Sequence, residues 1–466
     1  MAITAERNDR FLAMTTAPVV GLVIKLAIPS IMIMVVSALY NMADTYFVGS
    51  LGTSVVGAVG IAFPLMAIIQ ALGFFFGQGT GNYISRALGG RNLQGAARMA
   101  ATGFFTTIIV VAALSILGII NLKSLALGLG STPTILPYAM EYIFFILIAA
   151  PWMTAATVLN QQLRFQGNAS IAMIGMVSGA VLNIFLDPLF IFVFKMGIRG
   201  AAIATMASQI VSFLILLICC GKKDNIPIRF KNFMPGKTLY LELVRGGIPA
   251  LLRQGLISIA TIIINHFAGI HGDAAIAAIS IVNRVYMFAG SIMLGFGQGF
   301  QPVCGFNFGA GLYDRLKKAF WFCVRLSSAG LLITAVVLSI FAPQVIALFR
   351  KGDPEVIRIG ALGLRLHCIS LPFIAFTVMS NMMTQTIGKA LEASLLAISR
   401  QGLFLLPALL ILTPLLGLLG IQLSLPVSDF SSFVFAIPLT GKVLRRMGRD
   451  GKENTPPAAP LPGAIP

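Results

Sequence analysis

Residues 28–79 read IPSIMIMVVSALYNMADTYFVGSLGTSVVGAVGIAFPLMAIIQALGFFFGQG, and residues 248–299 read IPALLRQGLISIATIIINHFAGIHGDAAIAAISIVNRVYMFAGSIMLGFGQG. The second stretch repeats the landmarks of the first at a fixed spacing of 220 residues. Ile28-Pro29 recurs as Ile248-Pro249, Phe47 and Gly49 as Phe267 and Gly269, Ala58 as Ala278, and Gly77-Gln78-Gly79 as Gly297-Gln298-Gly299. Outside these stretches Gly89 recurs as Gly309 and Gly200 as Gly420. Pro151/Pro372 and Gly167/Gly388 follow at 221, as a one-residue insertion would produce. A register kept over most of the chain means a duplicated unit, an architecture common among membrane transporters.

The solvent of that unit is lipid. Hydrophobic residues make up 57% of the 466, charged residues only 10%, and the mean hydropathy is +0.92. A soluble chain could not hide so much apolar surface from water. Backbone groups in lipid need internal partners, which leaves helices or a closed barrel. Period-two alternation is absent, and apolar runs of about 20 residues match a helix crossing a core of ~30 Å. The pattern predicts an all-α integral membrane protein with twelve spans, near 20–47, 55–80, 98–121, 136–160, 170–194, 198–220, 243–269, 274–302, 320–349, 358–387, 393–414 and 418–440. Six spans per repeat gives the copies one orientation and an axis along the membrane normal. The expected organisation is a six-helix lobe over 1–220, a cytoplasmic linker over 221–237 (GKKDNIPIRFKNFMPGK), a second six-helix lobe over 238–445, and a Pro-rich, disordered cytoplasmic tail over 446–466.

A formal charge of +18 invites a nucleic-acid reading. Its distribution favours a membrane protein whose cytoplasmic loops concentrate Lys and Arg. With the N-terminus inside, those loops hold Arg86, Arg91, Arg98, Arg164, the basic linker, Arg315, Lys317, Lys318 and the basic C-terminal tail. External loops hold few, chiefly Lys123, Lys195, Arg199 and the cluster Arg350, Lys351, Arg358. Both termini are therefore expected in the cytoplasm, in a multi-pass protein of the cell inner membrane without nucleic-acid partners. The flank before the first span lacks a separate short apolar core with a cleavage site, so no cleavable signal is expected. The five Cys show neither metal spacing nor an even count and read as apolar fillers. No phosphate loop or cofactor motif is present, so a pump built this way would run on an ion gradient.

Ionisable groups inside spans are functional candidates by default. Asp44, late in the first span, lies within roughly 8 Å of the external boundary at 1.5 Å per residue. Asp187 lies in the outer half of the fifth span, and Asn183, four residues earlier, shares its face. Pro188 follows and removes a backbone donor, which frees carbonyls for a cation or water. Thr205 in the sixth span and Tyr142 in the fourth come at the same depth, and Asn160 lies further in. One polar pocket inside the first lobe accounts for them. A carboxylate away from water tends to hold its proton, and a second nearby strengthens the tendency. Such a pair can exchange a proton or bind Na⁺ at Asp44, Asn183, Asp187 and Thr205. The competing reading is interhelical hydrogen-bond glue, which carries most weight for Asn160, Thr205 and Tyr142.

The second half lacks copies of these acids. The counterpart of Asp44 is Ile264, and Asn183 and Asp187 fall opposite the apolar LLPALLIL. It offers Arg253, Arg284, Asn381, Gln385 and Asp429 instead. Arg284 in the eighth span and Asp429 in the twelfth could pair, a structural contact favoured over a substrate role, and the sequence does not decide whether they do. Arg284, Met287, Asn381 and Gln385 are the candidates for lining a substrate cavity, since Met and aromatic surfaces adapt to varied ligands. The paired GQG motifs read as small faces for close helix packing.

At these residues the chain resembles the MATE family, the multidrug and toxic compound extrusion transporters, in its bacterial MepA-like branch. The segments IPSIMIMVVSALYNMADTYFVGSLG, GQGTGNYISRALGGRN, LNQQLRFQGNAS and VLNIFLDPLFIFVFKMGIRGAAIAT carry the resemblance, which runs in order from about residue 20 to 440. It implies two six-helix lobes arranged as a V around a cavity alternately open to each side. It further implies efflux of small organic, often lipophilic and cationic compounds by H⁺ or Na⁺ antiport, with no cofactor and a monomeric chain. The family's first-lobe cation site maps onto Asp44, Tyr142, Asn160, Asn183, Asp187 and Thr205, all present. Pro29 and Pro188 are the candidate hinges. The second-lobe acids that some members use for Na⁺ are missing here.

Two other classes fit less well. A lipid-linked oligosaccharide flippase of a related duplicated plan would want a cavity rich in cations, and Arg253 and Arg284 are the main supply. An intramembrane transferase would want clustered His or acidic metal motifs, and none is present in the sequence.

Overall fold

In a computed structural model, residues 5–222, 225–350 and 353–453 are described, and they are almost entirely helical. Helix α1 (Ala5–Thr16) precedes the first span α2 (Val19–Gly49). The rest of the first lobe is α3 (Thr53–Gly89), α4 (Leu93–Ile120), the short α5 (Leu122–Gly128), α6 (Leu136–Phe165), α7 (Ala169–Pro188) and α8 (Gly197–Cys220). The second lobe is α9 (Lys237–Gly269), α10 (Asp273–Gly309), α11 (Tyr313–Ile340), the short α12 (Ala342–Phe349), α13 (Pro354–Thr386), α14 (Ala390–Ile398), α15 (Leu406–Leu416) and α16 (Leu418–Glu453). Among the described residues twelve helical stretches are long and apolar enough to cross a bilayer, in the twelve places the sequence predicts. An even number of crossings puts both ends of the described chain on one face, called here the terminal face.

The duplication extends to the backbone. Gly52 and Gly272, which open α3 and α10, hold φ of +109° and +90°, a region open to glycine and strained for other residues. Gly167 and Gly388 match likewise at +87° and +84°. The predicted ninth span, 320–349, is in fact two helices: α11 ends at Ile340 and α12 turns off after it, as α5 does after α4. Pro188 does not stop its helix. The chain runs on through a π-turn, Leu189–Val193, and a second π-turn, Ser399–Leu405, joins α14 to α15. Extra residues per turn shift the register of the side chains that follow. The polar N-terminal flank forms α1, whose buried Met14 carbonyl accepts from Asn307 Nδ2 at 3.2 Å. The linker folds back on the first lobe, with Ile226 N donating to Gln166 Oε1 at 2.7 Å. The last helix continues to Glu453, past residue 445, and residues 454–466 of the expected tail lie outside the described residues.

The lobes exchange partners at their interface: α2 packs on α10 and α9 packs on α3. Glycines make the approach possible. A Cβ on Gly79 would sit 2.4 Å from the Leu243 carbonyl oxygen, and one on its counterpart Gly299 would sit 2.4 Å from Ala27 Cα. These contacts lie in the halves of the helices toward the terminal face. In the opposite halves the same faces carry exposed residues, Leu39 and Met42 on α2, Ile68 on α3, Ile262 on α9, and Met287 on α10. The lobes are closed on the terminal face and part toward the other, leaving a cleft between them.

Candidate functional site

The polar cluster of the first lobe is assembled by helical spacing. Tyr40 and Asp44 lie one turn apart on α2, and Asn183 and Asp187 one turn apart on α7, so each pair shares a face. Asp187 and Asn183 are buried, as are Thr205 on α8 and Tyr142 on α6. Asn183 joins Asp187 to Thr205 in either orientation of its amide. In one, Nδ2 donates to Asp187 Oδ1 at 3.3 Å and to Thr205 Oγ1 at 3.5 Å. In the other, it donates to Asp187 Oδ2 at 3.0 Å and accepts from Thr205 N at 3.3 Å. Tyr40 lies close to Thr205, Asp44 and Asp187. Asp44 acts in turn on Asp187 and Tyr142. The Asp44 Oδ1 is buried and has no hydrogen-bond partner among the described residues.

Five of the sequence candidates therefore come together: Asp44, Tyr142, Asn183, Asp187 and Thr205. Asn160 is held elsewhere. Its Nδ2 donates to the Ala172 carbonyl at 2.9 Å and ties α6 to α7. Asn381 donates to the Ala393 carbonyl at 2.7 Å, the same bond 221 residues on. A bond repeated in both lobes belongs to the shared scaffold. Tyr40 was missed by the sequence reading, although its place one turn before Asp44 in an apolar helix is a usable signal. Pro29 is buried within α2, and Pro188 lies between Asp187 and the π-turn.

At the corresponding place in the second lobe a cavity is lined by Ile264, Gly363 and Leu425, the counterparts of Asp44, Tyr142 and Thr205, with His367 and Gln422 beside them. Near it Asp429 is buried and fully engaged. Arg400 Nε donates to its Oδ1 at 2.6 Å, and Tyr286 and Ser370 hydroxyls donate to its Oδ2 at 2.6 and 2.9 Å. The partner of Asp429, which the sequence left open with Arg284 as a candidate, is Arg400. Arg400 sits on the π-turn Ser399–Leu405, whose register the sequence does not announce. Asp429 carries its own tethered cation, whereas neither Asp44 nor Asp187 forms an ion pair among the described residues. Of the cavity candidates, Asn381 and Gln385 are buried in helix packing, with Gln385 Nε2 donating to the Gly246 carbonyl at 2.7 Å. Arg284 and Met287 are exposed on α10.

Two arginines that the sequence places in loops cross between the lobes. Arg86 pairs with Glu242 at 2.6 Å and donates to the Thr386 carbonyl at 2.7 Å. Arg164, fully buried, donates to the Gln298 carbonyl, to Gln161 Oε1, and to Gln301 Oε1 at 3.1 Å. Together they close the terminal face.

The model of the MatE family matches twice, over residues 29–189 and 249–410, with starts 220 residues apart. The chain belongs to the MatE family. Each match falls within one six-span half of the chain. It is 28% identical over 407 residues to the multidrug export protein MepA of Staphylococcus saprophyticus, covering 86% of this chain and 89% of that one. It is 27% identical over 427 residues to MepA of Staphylococcus aureus, covering 91% and 94%. Among solved structures, an outward-facing MATE family transporter of the MOP superfamily superposes with a TM-score of 0.87 at 28% identity, covering 92% of this chain and 96% of that one. A MOP superfamily transporter from Pyrococcus furiosus Vc1 does so at 0.89 and 27%, covering 96% and 100%. This MATE chain is a membrane transporter with the two-lobe fold of that family.

Proposed function

We propose that the protein is a secondary active exporter of small organic compounds, lipophilic cations among them, that exchanges each for protons at the Asp44/Asp187 cluster. The cleft between the lobes is the substrate path, and alternating access moves its opening from one face to the other. The observation that carries the reading is the Asp44/Asp187 pair inside the first lobe, with no ion-pair partner and with a buried Asp44 oxygen that no donor among the described residues satisfies. A proton or a small cation is the missing partner. Tyr40, Tyr142, Asn183 and Thr205 supply the oxygens and donors that hold the acids in either charge state. The same oxygens would suit Na⁺. The proton is favoured because the second lobe, where further acids would be expected for one Na⁺-coupled pattern, answers its buried Asp429 with Arg400.

Protonation from outside neutralises the cluster, the first lobe repacks around Pro29 and the Pro188 π-turn, and the substrate leaves. Discharge of the protons inside resets the cycle. The terminal face is cytoplasmic in this reading, supported by the Lys and Arg asymmetry. The membrane is the cell inner membrane, and the working unit is the monomer, since one chain supplies both walls of the cleft. Expression in an efflux-deficient host tests the reading: dye export should collapse when the proton gradient is dissipated and persist when only Na⁺ is removed. Export that survives loss of the proton gradient would overturn it.

A further inference from the structure

The charge of the cleft is divided between its walls. The first lobe carries Asp44 and the buried Asp187, and the second lobe carries Arg253 and Arg284, beside the self-neutralised Arg400–Asp429 pair. Arg253 is hydrogen-bonded to the carboxamide of Asn381 at 3.1 Å and to no carboxylate among the described residues. Arg284 makes no hydrogen bond or ion pair among the described residues, and its side chain is exposed.

The direction of Arg284 follows from helix geometry. Gly295 and Gly299 turn the face of α10 that meets α2 of the other lobe, at Ile31 and Ala27. Eleven residues separate Arg284 from Gly295, and at about 100° per residue this returns to within roughly 20° of the same direction. Arg284 therefore points from the second lobe toward the first, about 16 Å beyond the Gly295 contact. On the antiparallel α2 the residue eleven positions beyond Ile31 is Met42, which is 62% exposed. Had the helices stayed packed, these two side chains would cover each other. Both are open, so Arg284 faces the cleft, flanked on its own helix by Met287 and Phe288, 61% and 47% exposed. An unpaired guanidinium at that depth is costly in lipid and marks a pathway that meets polar cargo. The first-lobe counterpart of Arg284 is Pro64, so this charge belongs to one wall only.

We propose that Arg284 is a substrate-binding residue that receives the carboxylate of an amphiphilic organic zwitterion, while the Met and Phe surface beside it holds the apolar body and the acidic first lobe attracts the cationic end. The guanidinium fork matches a carboxylate with two parallel hydrogen bonds. The inference rests on the export reading above and narrows its substrate class from lipophilic cations to compounds that also carry an acid.

The test uses a matched pair of dyes, rhodamine 110, which has a free carboxylate, and rhodamine 123, its methyl ester. Full-length protein is reconstituted in phosphatidylcholine vesicles, which exclude anionic headgroups. The wild type should favour the acid, and Arg284→Gln should shift the acid-to-ester KM ratio at least tenfold toward the ester, with Arg284→Lys between the two. An unchanged ratio in Arg284→Gln overturns the proposal. Dye anisotropy on solubilised protein makes the same comparison by Kd. If binding shows the Arg284-dependent preference but no gradient drives transport, the export reading fails and the site stands. If transport proceeds and the ratio does not move, the site fails and the export reading stands.

Discussion

Replacing Arg164 should release the closed terminal face. Its guanidinium is fully buried and crosses from α6 to α10, where it donates to the Gln298 carbonyl and to Gln301 Oε1. A hydrogen bond to a charged group contributes about 1.5–3 kcal/mol. Two such bonds span the interface, and rehydration of the side chain when the face opens returns part of their value. A net contribution of roughly 3 kcal/mol to the closed arrangement follows, which is on the order of a hundredfold in the equilibrium between the two openings. Arg164→Met keeps an unbranched apolar stem and removes both bonds. Spin labels at Met42 on α2 and Met287 on α10, both exposed in the cleft, should then report a shorter distance as the cleft closes and the terminal face opens. Arg164→Lys, which keeps the charge without the fork, should fall between. A distance distribution in Arg164→Met that matches the parent, in protein of matched melting temperature, would refute the argument that this contact sets the closure.

Asp44→Asn and Asp187→Asn should each abolish active export while the protein still inserts and folds, because the amide keeps the volume and loses the exchangeable charge; near-normal export at matched expression would remove either residue from the coupling site. Asn160→Ala should lower thermal stability by about 1–3 kcal/mol for an orphaned buried carbonyl and leave ion coupling intact, and Asn381→Ala should cost more, because Asn381 Oδ1 also accepts from Arg253. Loss of coupling in Asn160→Ala alone would return Asn160 to the site. For topology, cysteines at Ser50 and Ile270, exposed and next to the glycine turns at Gly52 and Gly272, should label from outside, and a reporter after Lys452 should be cytoplasmic. Inside-only labelling at Ile270 would break the six-plus-six plan.

The spans and the duplication were legible because both are written in local chemistry. Apolar runs set the helices, and a fixed offset needs only matching glycines and prolines. The first-lobe cluster was legible for a related reason: Asn183 and Asp187 share a helix face, and acids are rare enough in apolar sequence that Asp44 stands out. Contacts between lobes were not. Arg86 and Arg164 read as loop cations by position, yet each reaches a partner more than a hundred residues away, a pairing that only tertiary packing decides. The partner of Asp429 was not legible for the same reason, since Arg400 reaches it from a π-turn that shifts the helical register. Arg284, a candidate for that pair, is left facing the cleft.

The exchange of protons for substrate at the first-lobe acids is tested most directly in proteoliposomes of purified protein with an organic cation dye. A pH gradient imposed without Na⁺ should drive dye movement in the wild type and not in Asp187→Asn. Transport that ignores the pH gradient and requires a Na⁺ gradient would contradict the account.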